Sequence, residues 1–380
     1  MKYCKSCLTT NLRPNASFND TGICIACQYS GSDQLTTSRV KLEQLQKKII
    51  TSRAKQRNKG AYDCIVGVSG GKDSTRQAHW VRDRLGLRPL LVCCAYPPKQ
   101  MTDIGAKNLS NLIEMGFDVI VATPAPKTAA QLALASFRQF GNVCKSTEMS
   151  LFSTVPRLAI EMGVNTIFWG ENPALQVGDA AVEGIDEFDG NNLRKLNTLT
   201  DGGTDWIKEQ VSSPHLAEHY IYPDEIGFDK HKINIFYLGA AWDDWSNDDN
   251  SAYAALQGLT LRPHDEHITG DLSNASMIDE EFTNINMMLK YYKFGFGRAT
   301  DSVNEKIRNG QISRKKAIAI VAEFDGVCGD NIIKNYADYV GITVAEFWQI
   351  ANKWINPKLF TINKESRPKR KFTVGVDYVG

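Results

Sequence analysis

The chain has 380 residues, of which 42% are hydrophobic, and its 44 Lys and Arg nearly cancel its 43 Asp and Glu to leave a net charge of +1. That length and apolar share support two or three domains around a sizeable core, and the balanced charge excludes the broad positive field that general nucleic-acid coating or membrane-surface binding requires. The longest apolar runs, such as Leu90–Tyr96 and Ala317–Ala322, fall well short of the ~20 residues of a membrane-spanning helix. No apolar segment follows the charged start Met1-Lys2-Tyr3-Cys4-Lys5, so no signal peptide is expected and the implied compartment is the cytoplasm. In a reducing compartment the odd count of nine cysteines reads as metal ligands, core thiols or a reactive thiol, not as a disulfide framework.

The first segment, residues 1–37, carries four of those cysteines among Gly, Asn, Pro and Asp and shows no helical period. Cys4-x2-Cys7 and Cys24-x2-Cys27, with sixteen residues between the pairs, have the spacing of a four-thiolate structural zinc site, a zinc ribbon. One tetrahedral ion would supply the folding free energy that so polar a segment lacks; two disulfides or four free thiols are the alternative reading. Residues 38–60 change character: Val40, Leu42, Leu45, Ile49 and Ile50 recur among eight Lys and Arg residues, which predicts a connecting helix with a basic outer face.

From 61 to 240 short apolar runs alternate with helical patterns. Strands are predicted over Asp63–Val68, Leu90–Ala95, Val119–Thr123, Thr166–Trp169 and Ile235–Leu238, and helices over Ser74–Leu85, Asp103–Met115, Thr128–Phe140 and Thr147–Met162. Alternation of this kind builds βαβ crossovers, so the expected fold class is α/β with a parallel sheet covered on both faces. The stretch 170–232 is too long for an ordinary connection and reads as a long insertion, a lid or substrate loop. Residues 241–380 read as a C-terminal helical domain, helical to the end. Asp301 is the expected cap of a helix stopped by Gly310, Ser313 of one closed by Asp325-Gly326, and Thr343 with Glu346 forms a capping box for a third, stopped by Asn356-Pro357.

The chemistry-bearing pattern of the α/β part is Ser69-Gly70-Gly71-Lys72-Asp73-Ser74, placed between the first predicted strand and its helix. At that position glycines let the backbone approach an anion while N–H groups and the helix N-terminus point at it. Ser69 and Ser74 add hydroxyl donors, Lys72 adds a positive charge, and Asp73 can hold a magnesium ion that bridges phosphates. The plain alternative is a strand-to-helix turn capped by Asp73 or Ser74. The run is neither a Walker A loop nor a dinucleotide Gly-x-Gly-x-x-Gly.

This hexapeptide resembles the signature of the PP-loop ATP pyrophosphatases. The resemblance implies that Ser69, Gly70, Gly71, Lys72, Asp73 and Ser74 bind ATP, with Lys72 and Asp73 catalytic. Gly170-Glu171-Asn172, after the fourth strand, would close the nucleotide pocket. Over nearly the whole chain, the four-cysteine segment, Tyr62–Val68 before the loop, Trp169-Gly170-Glu171-Asn172-Pro173, and Lys293–Asp301 followed by Ile307-Arg308-Asn309-Gly310 are similar to the bacterial N-acetyl sugar amidotransferases. That resemblance implies an ATP- and magnesium-dependent enzyme that adenylates the acetamido group of a surface-polysaccharide sugar precursor and replaces its oxygen with ammonia. It also implies two partner subunits, resembling the glutaminase and cyclase of imidazole glycerol phosphate synthase, that deliver the ammonia; no glutaminase signature surrounds Cys64, Cys93, Cys94, Cys144 or Cys328.

The family's pattern has a second cysteine close after the position of Cys144, whereas here the run is Cys144-Lys145-Ser146-Thr147. A lone cysteine also weighs against the alternative, a PP-loop tRNA thiolation enzyme, as does the near-zero charge. The basic helix 38–59 and the block Arg367–Lys371 are the only local support for nucleic acid, and both read first as solvated faces. Arg298 and Asp301 follow Gly295 and Gly297 and are candidate substrate residues, an Arg clamp for a carboxylate or diphosphate; equally, Arg298 could cover a helix start that Asp301 caps. His215-x3-His219 and His264-x2-His267 lack the surroundings of a metal motif.

Overall fold

A computed structural model describes residues 1–30, 40–49, 51, 60–170, 190–191, 193–195, 199, 203–242 and 245–379. Five short strands rich in Val, Ile, Leu and aromatic residues form its centre: β1 (Cys64–Val68), β2 (Pro89–Cys94), β3 (Asp118–Ala122), β4 (Thr166–Trp169) and β5 (Asn234–Tyr237). They pair in the order β3-β2-β1-β4-β5, all parallel. Every residue of β1, β2 and β4 is buried, as strands covered by crossover helices on both faces must be; β3, at the edge, is partly exposed. The α/β expectation holds, and each strand lies within one residue of its predicted range.

The chain steps outward from β1 to β3 and then returns to place β4 on the other side of β1. The strand order therefore reverses between β1 and β4, and the crevice at their carboxyl ends is where open parallel sheets take ligands. Gly67 makes that neighbourhood possible: a Cβ there would lie 2.1 Å from Nε1 of Trp169, whose indole crosses over β1.

The crossovers are α1 (Lys72–His79), α2 (Asp103–Glu114), α3 (Pro126–Phe140) and α4 (Lys145–Met162). The α1 helix begins two residues earlier than its apolar pattern suggested and runs on through Trp80–Arg84 as a π-helical turn. Residues 40–49 are helical, and Leu45 and Ile49, one turn apart, are buried in the same core as the sheet. Of the long stretch after β4, residues 171–189 lie outside the described residues. Its later part is not a loose loop: Trp206, Ile207, Ala217 and Tyr220 pack with Leu132 of α3 and Met149 of α4 into a separate small core.

Beyond the sheet come α5 (Asn247–Leu256), α6 (Phe282–Phe294), α7 (Arg298–Arg308), α8 (Arg314–Phe324), α9 (Asp330–Val340) and α10 (Val344–Asn352). Ser313 caps α8 and Thr343 with Glu346 forms the expected box at α10. Two expectations fail. The N-cap of α7 is Gly297, so Asp301 sits in the first turn, where its carboxylate is drawn sideways into ion pairs. The chain is also not helical to its end, because β6 (Phe360–Ile362) and β7 (Pro368–Arg370) form an antiparallel hairpin. That hairpin closes a cluster of Leu359, Phe360, Phe372 and Val374 around Tyr291, a gain that no single short strand advertises in its sequence. The basic block supplies β7, with Arg367 on Asp330 at 2.9 Å and over the ring of Trp348.

Asp325 ties α8 to the start of α7. Its carboxylate accepts the N–H of Gly297 at 2.9 Å and of Thr300 at 3.0 Å, and the Thr300 hydroxyl donates to it as well. Burial nevertheless pushes this carboxyl up to about 6. The folded chain then holds a proton that the unfolded chain releases near pH 4, so this group's contribution to stability is present at low pH and lost as pH rises through 6. Replacing Asp325 with Asn removes that loss. Urea titrations between pH 4 and 7 should show the variant gaining on the wild type by up to ~3 kcal/mol across the window, while a constant difference would contradict this account.

Candidate functional site

The loop Ser69–Ser74 turns directly from the carboxyl end of β1 into the first turn of α1, at the strand-order reversal. Gly70 takes a left-handed φ of +89°, and a Cβ on it would meet the backbone N of Leu109 in α2 at 2.9 Å, so only glycine fits. The Ser69 hydroxyl accepts the N–H of Gly71 at 3.2 Å, and the Ser74 hydroxyl donates to the Gly71 carbonyl at 3.1 Å, which holds the turn from inside. Gly71 is the N-cap, and no side chain caps the helix. The N–H groups of Lys72, Asp73 and Ser74 are thus first-turn donors facing the crevice, the arrangement in which a helix N-terminus receives an anion.

Lys72 and Asp73 form an ion pair of 2.6 Å. The second carboxylate oxygen of Asp73 accepts the side-chain N–H of Asn250 at 2.6 Å, and Asn250 in turn accepts from Arg76, also at 2.6 Å. The Arg76 guanidinium lies 4.5 Å from the ring centre of Trp242. Across the crevice Gly170 approaches so closely that a Cβ would lie 3.0 Å from the carbonyl oxygen of Asp73, and its own carbonyl accepts the indole N–H of Trp245. Of the candidate residues, Ser69, Gly70, Gly71, Lys72, Asp73, Ser74 and Gly170 therefore meet at one place. Glu171 and Asn172 lie outside the described residues.

Arg298 and Asp301 are taken up by the protein itself. Arg298 pairs with the buried Asp271 at 3.2 Å. Asp301 binds Arg13 at 2.6 Å and Lys290 at 2.8 Å, and these two cations hold its carboxyl well below the usual carboxylate range despite burial. The pair thus knits α7 to the N-terminal segment and to α6.

Asn250 is a residue that sequence reasoning missed. It stands 177 positions from Asp73, in a helix whose pattern gives no hint of a ligand site. Its amide fixes one oxygen of Asp73; on a magnesium–nucleotide reading of the loop, Asn250→Ala should leave nucleotide affinity within a few-fold but raise the magnesium concentration needed for half-maximal turnover by about tenfold, the worth of one hydrogen bond to a charged group. Magnesium titrations at saturating ATP check this, and an unchanged midpoint would count against it.

The four N-terminal cysteines come together with all four Sγ atoms within 4.8 Å of one another, and Cys7 and Cys24 lie 3.7 Å apart. Zinc–sulfur bonds of about 2.3 Å in a tetrahedron have edges of about 3.8 Å, so these thiols fit one zinc ion. Backbone N–H groups of Cys24 and Thr9 point at Cys4 Sγ (3.3 Å) and Cys7 Sγ (3.4 Å), contacts that favour thiolate. Among the described residues this is the one group of His, Cys, Asp and Glu side chains with metal-ligand geometry. It docks on the helical region: Asn304 accepts the N–H of Leu8 at 2.7 Å and donates to Thr9 at 3.2 Å, and Arg314 donates to the Cys7 carbonyl.

A parallel α/β sheet carries this glycine-rich loop at its strand-order reversal, the place where open sheets of this kind take phosphate-bearing ligands. Residues 276–373 match the family described as LPS biosynthesis protein WbpG-like, C-terminal domain, so this part of the chain is WbpG-like. No curated protein matches the chain. Among solved structures, the U34-tRNA thiolase NcsA from Methanococcus maripaludis with its [4Fe-4S] cluster aligns at 10% identity and a TM-score of 0.33, over 83% of this chain and 88% of that one. Among the described residues no helix is long and apolar enough to cross a membrane.

Proposed function

We propose that the protein is an ATP-dependent amidotransferase of surface-polysaccharide biosynthesis, such as that of LPS O-antigen, which converts the acetamido group of an N-acetylated sugar precursor into an acetamidino group. The observation that carries this reading is the joining, in one chain, of an open phosphate-type loop with a WbpG-like C-terminal region. An amide oxygen is a poor leaving group. Attack of that oxygen on the α-phosphorus of ATP releases pyrophosphate and leaves an adenylated imidate, from which ammonia can expel AMP.

In this reading the loop N–H groups of 72–74 and the Lys72 ammonium receive the phosphates and stabilise the charge that grows on the departing pyrophosphate. Asp73, oriented by Asn250, would hold magnesium, which supplies charge neutralisation between the phosphates. Gly170, and with it Glu171 and Asn172, would close over the nucleotide. The cysteine cluster would hold a closed structural zinc, and Arg298 and Asp301 would shape the sugar side through the segments that they join. Residues 1–37, 38–60, 61–240 and 241–380 would act as ribbon, connector, nucleotide domain and sugar-side domain. Ammonia would come from glutaminase and cyclase-like partner subunits, docked near the crevice so that the adenylated intermediate meets ammonia before water.

The alternative, tRNA thiolation, needs a reactive thiol near the loop. Burial pushes the Cys144 thiol well above its ordinary value, and Cys93 up to about 12, the opposite of what a sulfur-carrying nucleophile requires. The test is mass spectrometry of reactions containing ATP, ammonium chloride and UDP-linked acetamido sugars. A product lighter by the exchange of O for NH, formed with AMP and pyrophosphate, is expected from ammonium but not from glutamine unless the partners are added. Glutamine use by the chain alone, or sulfur transfer to tRNA, would overturn the reading.

A further inference from the structure

A second group of reactive side chains faces the loop from the WbpG-like region. The segment 278–280 lies against the connection that follows β2: Met101 and Glu280 form an antiparallel bridge, and Thr102 binds the carbonyls of Ile278 and Asp279. This fixes two neighbouring carboxylates beside the carboxyl ends of β1 and β2. They differ in what they do. Both oxygens of Glu280 are spoken for, one by the N–H and hydroxyl of Thr283, the other by the N–H of Phe282 and by Gln100, so Glu280 anchors the start of α6.

Asp279 is held more lightly, by the Tyr96 hydroxyl and its own backbone N–H alone. Among the described residues no cation pairs with it, and it is partly exposed. The groups that face it are the Tyr96 hydroxyl from the end of β2, Lys72 from the phosphate loop, Glu280 beside it and the Cys93 thiol of β2. Burial raises its proton affinity, against Tyr96 and Lys72, which favour the anion.

This matches a demand of the proposed chemistry, on which the inference rests. The reaction turns a neutral amide into a cationic amidinium beside the loop, and at neutral pH its nitrogen donor is held as ammonium. A carboxylate that no cation of the protein has claimed suits the place where that positive charge appears. We propose that Asp279 is a catalytic residue, the proton acceptor that binds the incoming ammonium and deprotonates it before the nitrogen attacks the imidate carbon. Asp279 passes that first proton to solvent, the freed lone pair forms the new C–N bond, the C–O bond breaks with its electrons leaving on AMP, and the surplus proton on the new nitrogen leaves through the Asp279 carboxylate to solvent, so that the product departs as the amidinium. Once Lys72 is engaged by phosphate, Asp279 loses the one cation that acts on it and can receive the ammonium.

The experiment separates the two half-reactions, with ATP, UDP-linked acetamido sugars and ammonium chloride. Asp279→Asn should release sugar-dependent pyrophosphate within threefold of the wild-type rate and form acetamidino product at least 100-fold more slowly, with partial recovery at high pH, where ammonia is free, and partial rescue in Asp279→Glu. Unchanged product formation, or equal loss of both half-reactions in a folded variant, overturns the role of Asp279 while the amidation reading stands. Absence of sugar-dependent pyrophosphate from the wild type overturns that reading, and this inference with it. Should Asp279→Asn not fold, Tyr96→Phe serves: loss of the hydroxyl raises the proton affinity of Asp279 and moves the pH midpoint of amidation upward without changing pyrophosphate release. An unmoved midpoint also overturns the proposal.

Discussion

Asp73→Ala should abolish turnover while the protein stays folded. The side chain stands at the mouth of the crevice, its two oxygens held by Lys72 and Asn250, and it supports no buried apolar packing. Its removal leaves the strand–loop–helix backbone in place but deletes the carboxylate that would carry the metal between phosphates. Losing one preorganised electrostatic contact to a developing charge slows a reaction by about 10²–10³-fold, and losing a metal's anchoring ligand should exceed that. Chromatography of AMP and pyrophosphate together with a melting curve reads both halves of the expectation. An active Asp73→Ala enzyme would remove Asp73 from the site, and ADP with phosphate as products would exclude the pyrophosphatase chemistry altogether.

The second large effect is expected at the other end of the molecule. Cys24→Ser together with Cys27→Ser removes half the thiolate set, and elemental analysis of the purified protein should fall from about one zinc per chain to none. The consequence should spread beyond the ribbon, because Leu8, Thr9 and Arg13 reach into α7 through Asn304 and Asp301. The two buried hydrogen bonds at Asn304 alone correspond to ~2–6 kcal/mol if their partners are left unsatisfied. Urea titration should therefore show the helical region destabilised together with the ribbon. Wild-type protein holding less than half an equivalent of zinc, or a variant of unchanged stability, would refute the structural-zinc reading.

What could be read from the sequence follows from how local each signal is. The five strands and four crossover helices announce themselves through runs such as Cys64-Ile65-Val66 and Leu90-Leu91-Val92 and through their alternation, and their order along the chain implies the parallel sheet. The loop Ser69–Ser74 and the cysteine pairs are contiguous or regularly spaced, so composition and position expose them. Asn250 and Asp279 are different, because each acquires meaning only when the fold brings it to the loop from far along the chain. The hairpin of β6 and β7 was hidden for a similar reason: three-residue strands carry almost no period, and it is Tyr291, on a helix, that gives them something to cover. Gly297 shows the converse, since the glycine before the candidate Arg298 begins α7, its N–H bound to Asp325.

The 2.6 Å contact between Lys72 and Asp73 bears on the order in which ligands can arrive. For the ammonium to serve a phosphate and the carboxylate a divalent cation, the two must part. A cation alone would strand Lys72 without its counter-charge, and a nucleotide alone would do the same to Asp73. Together they replace one internal pair with two external ones and conserve charge on both sides. In the proposed reading metal and nucleotide would be coupled ligands, each raising the other's affinity by the same factor. A loop wired in this way would discriminate against free ATP and free magnesium alike and admit them as one complex.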